Sequence, residues 1–276
     1  METSAARGLT DLFCKPRYVV PDASPGPVSC NDIAWSTAYP QIAASVGEYY
    51  GDTRLAERHW ESLTKYTTNL LTHAANSSDG VATCDQFSDW VTAGVCDSGM
   101  CPQFVKPSCG NPRCPVPDEM AGFSFVQGLR AMASMASGLG EAEGAARYSD
   151  LAAAATRGFH SAFWNTSSAS YGSDLSGTQM LTIPPLTIAA MPDAAVRARV
   201  VELLRTDIAN RSGYHLQVGA VSSKPFLSTL SQHGMHVEAL RVATQRTEPG
   251  WGYWFEQGAT TCWEKFPGDT SRNHVK

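Results

Sequence analysis

The chain has 276 residues, 43% hydrophobic and 17% charged, enough to bury a substantial core as one large domain or two small ones. Its formal net charge of −5 and lack of any basic block argue against nucleic acid or an anionic membrane surface as the main partner. No apolar run reaches the length needed to cross a bilayer, and the opening METSAARGLTDLF lacks the apolar core of a secretory signal.

Taken in chain order, the periodicity is that of helices. Spans of 33–50 and 54–74 come first, the second carrying Trp60, Leu63, Tyr66 and Leu70 three or four residues apart, which marks one buried stripe. Residues 84–117 then break the pattern: five of the eight cysteines, several prolines and no helical period describe a long loop, either a binding loop or an insert. Helices resume at 119–137 and 141–164, separated by the Gly138–Gly140 stop, and Tyr148, Leu151, Ala155, Phe159 and Ala162 form the second stripe. Further spans follow at 178–191, 193–209 (Val196, Val200, Leu203, Ile208), 224–233, 235–246 after Gly234, and 258–266. Roughly nine helical segments without an alternating strand pattern predict an all-α architecture of helical hairpins, and no repeat signature of a solenoid is present.

Within the loop, Cys96 and Cys101, then Cys109 and Cys114, make two pairs with four intervening residues. Such pairs can close disulfides or a tetrahedral zinc site; the loose spacing and the even cysteine count favour disulfides, with Cys14, Cys30 and Cys262, besides Cys84 at the start of the loop, left unassigned. Acceptor triplets for N-glycosylation at Asn76, Asn165 and Asn210 also fit an extracellular or secretory-pathway setting, although chance matches arise easily in a chain rich in Ser and Thr.

Phosphate-binding glycine loops, HExxH and Gly-x-Ser-x-Gly elbows are all missing, so neither a cofactor nor a catalytic metal is expected. What remains is aromatic residues beside carboxylates, the composition of a sugar site, where flat rings stack on a pyranose and acids bond its hydroxyls. Two places fit. One is Phe87–Trp90, FSDW; the other is Gly250–Phe266, GWGYWFEQGATTCWEKF, which gathers Trp251, Trp254, Glu256 and Glu264, with His274 just beyond. A glycosidase needs two carboxyl groups across the scissile bond, and Glu264 is the candidate for one; Glu256 shares its face only if a helix runs unbroken through Gly258.

WGYWFEQGATTCWEKF followed by SRNH resembles the C-terminal active-site signature of the α-L-rhamnosidases of glycoside hydrolase family 78. Supporting stretches occur in the same order: DIAWSTAYPQIAASVGEYYGD, FSDWV, YSDLAAAATRGFHSAFW, YGSDLSGTQMLTIPPLTIAAM and HLQVGAVSSKPFLSTLSQHGMHVEAL, so the resemblance spans nearly everything except the cysteine-rich loop. It implies an (α/α)6 barrel of helical hairpins and an inverting hydrolase that removes terminal non-reducing α-L-rhamnose from a glycoside or polysaccharide without a cofactor. By this similarity Glu264 matches the general base and His274 a sugar-contacting histidine. Trp90, Trp251 and Trp254 match aromatic positions of the rhamnose pocket, with Asp89 beside them as a further substrate-binding residue.

The departures shape the expectation further. The family's general acid lies in an acidic, tryptophan-containing loop that has no equivalent here, AWSTA replaces a position that usually carries an acid, and CWEKF is followed by a shortened stretch. The segments counted are fewer than six hairpins require. Residues 1–276 are therefore expected to form a single catalytic-type domain fragment, an incomplete barrel with a tendency to self-associate. The alternatives are a carbohydrate-binding protein of the same fold that lacks catalysis, or a related helical-barrel glycosidase acting on another sugar.

Overall fold

The structure, a computed structural model, describes residues 32–75, 77–82, 89–90, 119–172, 178–264 and 266, with His73 described by its backbone alone. Among these the regular elements are helices apart from one two-residue pairing, Trp164–Asn165 (β1) antiparallel to Ser170–Tyr171 (β2), in line with the all-α expectation. It divides into two compact units, Met1–Ser88 with Lys106–Ala162 and Asp89–Val105 with Phe163–Lys276.

The first unit is built on apolar packing. It comprises Ile33–Ser36 (α1), Ala38–Tyr50 (α2), Arg54–Ala75 (α3), Glu119–Gly138 (α4) and most of Ala142–Phe163 (α5). The span expected as one helix over 33–50 is split at Thr37, because Pro40 has no N–H for the Ser36 carbonyl and its ring crowds that turn. Helix α3 buries Leu63, Tyr66 and Leu70 from the expected stripe, while Trp60 remains half-buried and meets Tyr148 of α5 edge-on at 6.3 Å. Helix α4 is buried around its circumference, since Met120, Phe123, Phe125, Val126 and Met132 do not share one face; α1, α2 and α3 all pack on it. Each such large side chain contributes roughly 1.5–3 kcal/mol relative to leaving it in water. Within this core, Ser36 Oγ and Tyr66 Oη satisfy one another at 2.7 Å.

Residues 77–82 cross α5 at Gly158, where an added Cβ would lie 2.1 Å from the Asp79 carbonyl oxygen and 2.9 Å from Val81. Helix α4 ends as the sequence predicts: Gly140 takes a φ of 76°, Gly140 N–H bonds the Ser137 carbonyl (3.1 Å) and Glu141 N–H bonds that of Ala136 (2.9 Å).

The second unit contains β1 and β2, then Gln179–Ile188 (α6), Ala194–Thr206 (α7), a π-helical turn over Asp207–Arg211, Ala220–Gln232 (α8), His236–Ala243 (α9) and Trp251–Glu256 (α10). Helix α6 packs against α7 and α8, and α8 against α9. Asp193 caps α7 by accepting from Val196 N–H at 2.8 Å. Val200 and Leu204 are its fully buried positions, and Ile208 in the π-helical turn is buried too; the expected Leu203 is only half-buried. The glycine stop at Gly234 also holds, with Met235 N–H bonding the Leu230 carbonyl at 2.9 Å.

Other helix boundaries also differ from expectation, among them the end of α9 at Ala243 rather than 246. Helix α6 stops at Ile188 rather than 191, with Ala189 in the left-handed region at φ 54°. Helix α8 begins at Ala220, not 224. The helix expected over 258–266 is absent, and the helix lies earlier, at Trp251–Glu256: the chain reverses through Gly258, whose N–H bonds the Phe255 carbonyl (2.9 Å) while Ala259 N–H bonds that of Trp254 (2.8 Å).

Candidate active site

The site belongs to the second unit and begins with a buried amide. Gln179, in the first turn of α6, is fully buried and donates from Nε2 to Ser212 Oγ and to the His215 carbonyl, both at 2.9 Å. Its Oε1 accepts from Gln217 N–H, also at 2.9 Å. His215 Nδ1–H donates to the Ser212 carbonyl at 2.7 Å, and Leu216 N–H donates to the Pro249 carbonyl at 3.1 Å. These bonds hold an irregular stretch, residues 215–219, in one course and so fix where α8 starts.

That start is capped from far away in sequence. Asp89 Oδ2 accepts from Gly219 N–H at 2.7 Å, and Oδ1 accepts from Val221 N–H at 3.0 Å and Ser222 N–H at 2.9 Å. Ala220 N–H goes to the Trp90 carbonyl at 3.0 Å. The dipeptide Asp89–Trp90 therefore satisfies every N–H at the mouth of α8 that no intrahelical carbonyl can reach. Asp89 is 3% exposed. Burial pushes its carboxyl up from the ordinary range, while the N–H groups of Gly219, Ser222 and Val221 pull the other way by favouring the anion. The approach is close enough to require glycine: a Cβ on Gly219 would lie 2.3 Å from the Asp89 carbonyl oxygen and 2.4 Å from that of Trp90.

From this anchorage the Trp90 indole reaches Glu264, donating from Nε1 to Oε1 at 2.9 Å across 174 residues of sequence. Both side chains are half-buried. The segment carrying Glu264 is held by rings: Trp254 stacks on Phe266 with centroids 4.4 Å apart and planes 17° apart, and lies 6.1 Å from Trp263. Trp254, Trp263 and Phe266 are all buried. Helix α10 is in turn overlaid by the preceding turn, whose Gln245 carbonyl oxygen would stand 2.6 Å from a Cβ on Gly250 or Gly252.

The structure thus brings together Asp89, Trp90 and Glu264, and gives the remaining candidates distinct places. Trp254, expected to face the sugar, is 2% exposed and packs against Phe266 and Trp263. Asp89, expected to contact substrate, uses both oxygens to hold backbone. Trp251 opens α10 and is half-buried. Glu256 does not share a face with Glu264, because α10 ends there and Glu256 pairs with Arg246, whose Nε lies 2.7 Å away. His274 and the loop cysteines fall outside the described residues, and Cys262 is half-buried with no disulfide partner among the described residues. Among the described residues no cluster of His, Cys, Asp and Glu is arranged to hold a metal, and no helix is long and apolar enough to cross a membrane.

Gln179 and Gly219 escape a reading of the sequence alone. The available signals are faint: a glutamine opening an apolar helix in TQMLTIPPL, and a glycine directly before a helix in QVGAVSS. Neither announces a partner, because each partner is distant in the chain.

Comparison with known proteins places these features in a family. A model of the bacterial alpha-L-rhamnosidase 6 hairpin glycosidase domain matches residues 14–276. An alpha-L-rhamnosidase of Streptomyces avermitilis is 27% identical over 233 residues, covering 84% of this chain and 20% of the relative. One of Formosa agariphila is 23% identical over 257 residues, covering 90% of this chain and 25% of the relative. The chain therefore spans a fifth to a quarter of the length of these relatives. Among solved structures, alpha-L-rhamnosidase from Dictyoglumus thermophilum superposes with a TM-score of 0.75 at 27% identity, covering 98% of this chain and 28% of that one. The Streptomyces avermitilis enzyme complexed with L-rhamnose gives 0.73 at 23% identity, covering 98% and 24%. With the helical fold and a match over residues 14–276, the chain belongs to the bacterial α-L-rhamnosidase six-hairpin glycosidase domain family.

Proposed function

We propose that this chain is a catalytic-type domain portion of an α-L-rhamnosidase and carries the general base, Glu264, for inverting hydrolysis of terminal non-reducing α-L-rhamnose. The observation that carries this reading is the Trp90 Nε1–H bond to Glu264 Oε1 at 2.9 Å, which holds a half-buried carboxylate in place. Family membership supplies the sugar, since the relatives are alpha-L-rhamnosidases and one is complexed with L-rhamnose.

In the reaction Glu264 takes a proton from water as the water oxygen bonds to the anomeric carbon. The glycosidic C–O bond breaks on the opposite face, and the leaving oxygen takes its proton from a second carboxylic acid. For an inverting pair the two carboxyl groups stand roughly 6.5–9.5 Å apart, leaving room for the water. By the family resemblance the acid lies outside this chain, and neither step calls on a metal or organic cofactor. Trp90 and Trp251 are the remaining candidates for a wall beside the sugar, with His274 as a hydroxyl contact.

The test follows from the acid's proposed location. A nitrophenyl α-L-rhamnoside has a leaving group that needs little protonation, so the chain should hydrolyse it while leaving alkyl rhamnosides nearly untouched. NMR should show the β-anomer of rhamnose first, and Glu264→Gln should cut the rate about 10²–10⁴-fold with rhamnose affinity within a few-fold. An unchanged rate in Glu264→Gln would remove Glu264 from the mechanism, and rhamnose binding without any hydrolysis would favour a carbohydrate-binding protein.

A further inference from the structure

We propose that Asp89 and Trp90 act as positioning residues for Glu264: Asp89 locks the dipeptide onto the mouth of α8, and the Trp90 indole transmits that anchorage to the carboxylate. The inference deepens the reading of Glu264 as the base and rests on it for its functional meaning.

The geometry is that of a short lever with a fixed end. The Asp89 side chain makes three backbone bonds of 2.7–3.0 Å and the Trp90 carbonyl makes a fourth of 3.0 Å, so the backbone on both sides of the Trp90 Cα is pinned to one helix terminus. Gly219 permits that contact because nothing larger fits between it and the two carbonyl oxygens. With its backbone held, the indole has only two side-chain torsions left, and its Nε1–H meets Glu264 Oε1. Donation to a carboxylate favours the charged form, which is the form a base requires, and it fixes the direction of the acceptor. The fixed end is itself braced by Gln179, which holds residues 215–217 leading into Gly219. Asp89 thus serves the reaction without an oxygen directed at the sugar.

The linkage can be read on the full chain by NMR of tryptophan indoles labelled with nitrogen-15, with no need for turnover. The Trp90 Nε1–H signal, assigned by its loss in Trp90→Phe, should shift as Glu264 titrates and lose that response in Glu264→Gln. In Asp89→Asn the response should fall by at least half. Asp193→Ala, which removes the local cap of α7 in the same unit, should leave it unchanged, separating anchorage from general loss of a helix cap. If Asp89→Asn does not fold, hydrogen exchange on the native chain decides: the amides of Gly219, Val221 and Ser222 and the Trp90 indole should open together. A Trp90 signal indifferent to Glu264→Gln, a full response in Asp89→Asn, or independent exchange of the indole would each overturn the proposal. A coupled Trp90 signal in a chain whose hydrolysis survives Glu264→Gln would leave the lever standing and remove the base reading alone.

Discussion

Residues 77–82 and residues 89–90 each pass close over a glycine, the first within a helix and the second at the start of one, and different physics holds the two crossings. At Gly158 the Asp79 carbonyl sits where a side chain would be, and the fit is one of shape against the C-terminal third of α5. At Gly219 the approach is equally close, but it is accompanied by four hydrogen bonds to a helix terminus. Shape alone fixes how near two segments come. Directional bonds also fix how one is rotated on the other, and the carboxylate proposed as the base is attached to the crossing that has them.

The sharpest way to break this contrast is to add one methyl group at each crossing. Gly158→Ala should destabilise the first unit by about 3 kcal/mol or more, because the obstructing atom is backbone and cannot swing away. Gly219→Ala should cost a similar amount and also uncouple Trp90 from Glu264. Thermal unfolding and the Trp90 indole signal, measured together, separate the two outcomes, and loss of the signal's pH response in folded Gly158→Ala would contradict the distinction.

Gln179→Leu should have the next largest effect. Removing the amide strands the Gln217 N–H and loosens the stretch before Gly219, costing about 1–3 kcal/mol in denaturant unfolding. The smallest effect runs in the opposite direction. Ala189 ends α6 in the left-handed region, so Ala189→Gly should stabilise by up to about 1 kcal/mol without altering the site, and a lower melting temperature would contradict that account.

Much of the architecture is legible because it rests on local rules. Leu63, Tyr66 and Leu70 repeat at helical spacing and are buried, and the stops at Gly140 and Gly234 fall where left-handed residues are needed. The misplaced boundaries mark where a distant partner decides. Helix α8 starts at Ala220 because Asp89, 130 residues upstream of Gly219, caps it, and no window around residue 220 contains that information. The span 258–266 has an apolar content suited to a helix, yet its rings fold back: Trp263 and Phe266 pack on Trp254 instead of continuing a helical stripe.

The same limit applies to the site. Aromatic residues crowded beside carboxylates fit a sugar pocket, but composition does not distinguish rings that meet a ligand from rings that meet one another. Trp90 and Trp254 look alike in the sequence. One donates to Glu264, and the other is 2% exposed and packs on Trp263 and Phe266. The resemblance of CWEKF to a family signature singles out Glu264, whereas the part played by Asp89 becomes visible only when its backbone partners are seen.

The measurement that bears most directly on the central claim is azide rescue of Glu264→Ala with a nitrophenyl α-L-rhamnoside. Azide attacks the anomeric carbon without surrendering a proton, so it needs no base. The account predicts that Glu264→Ala loses about 10²–10⁴-fold in rate, and that azide restores it with β-L-rhamnosyl azide as the product. Undiminished hydrolysis by the variant, or a rate and product that azide leaves untouched, would contradict the assignment of Glu264 as the residue that activates water.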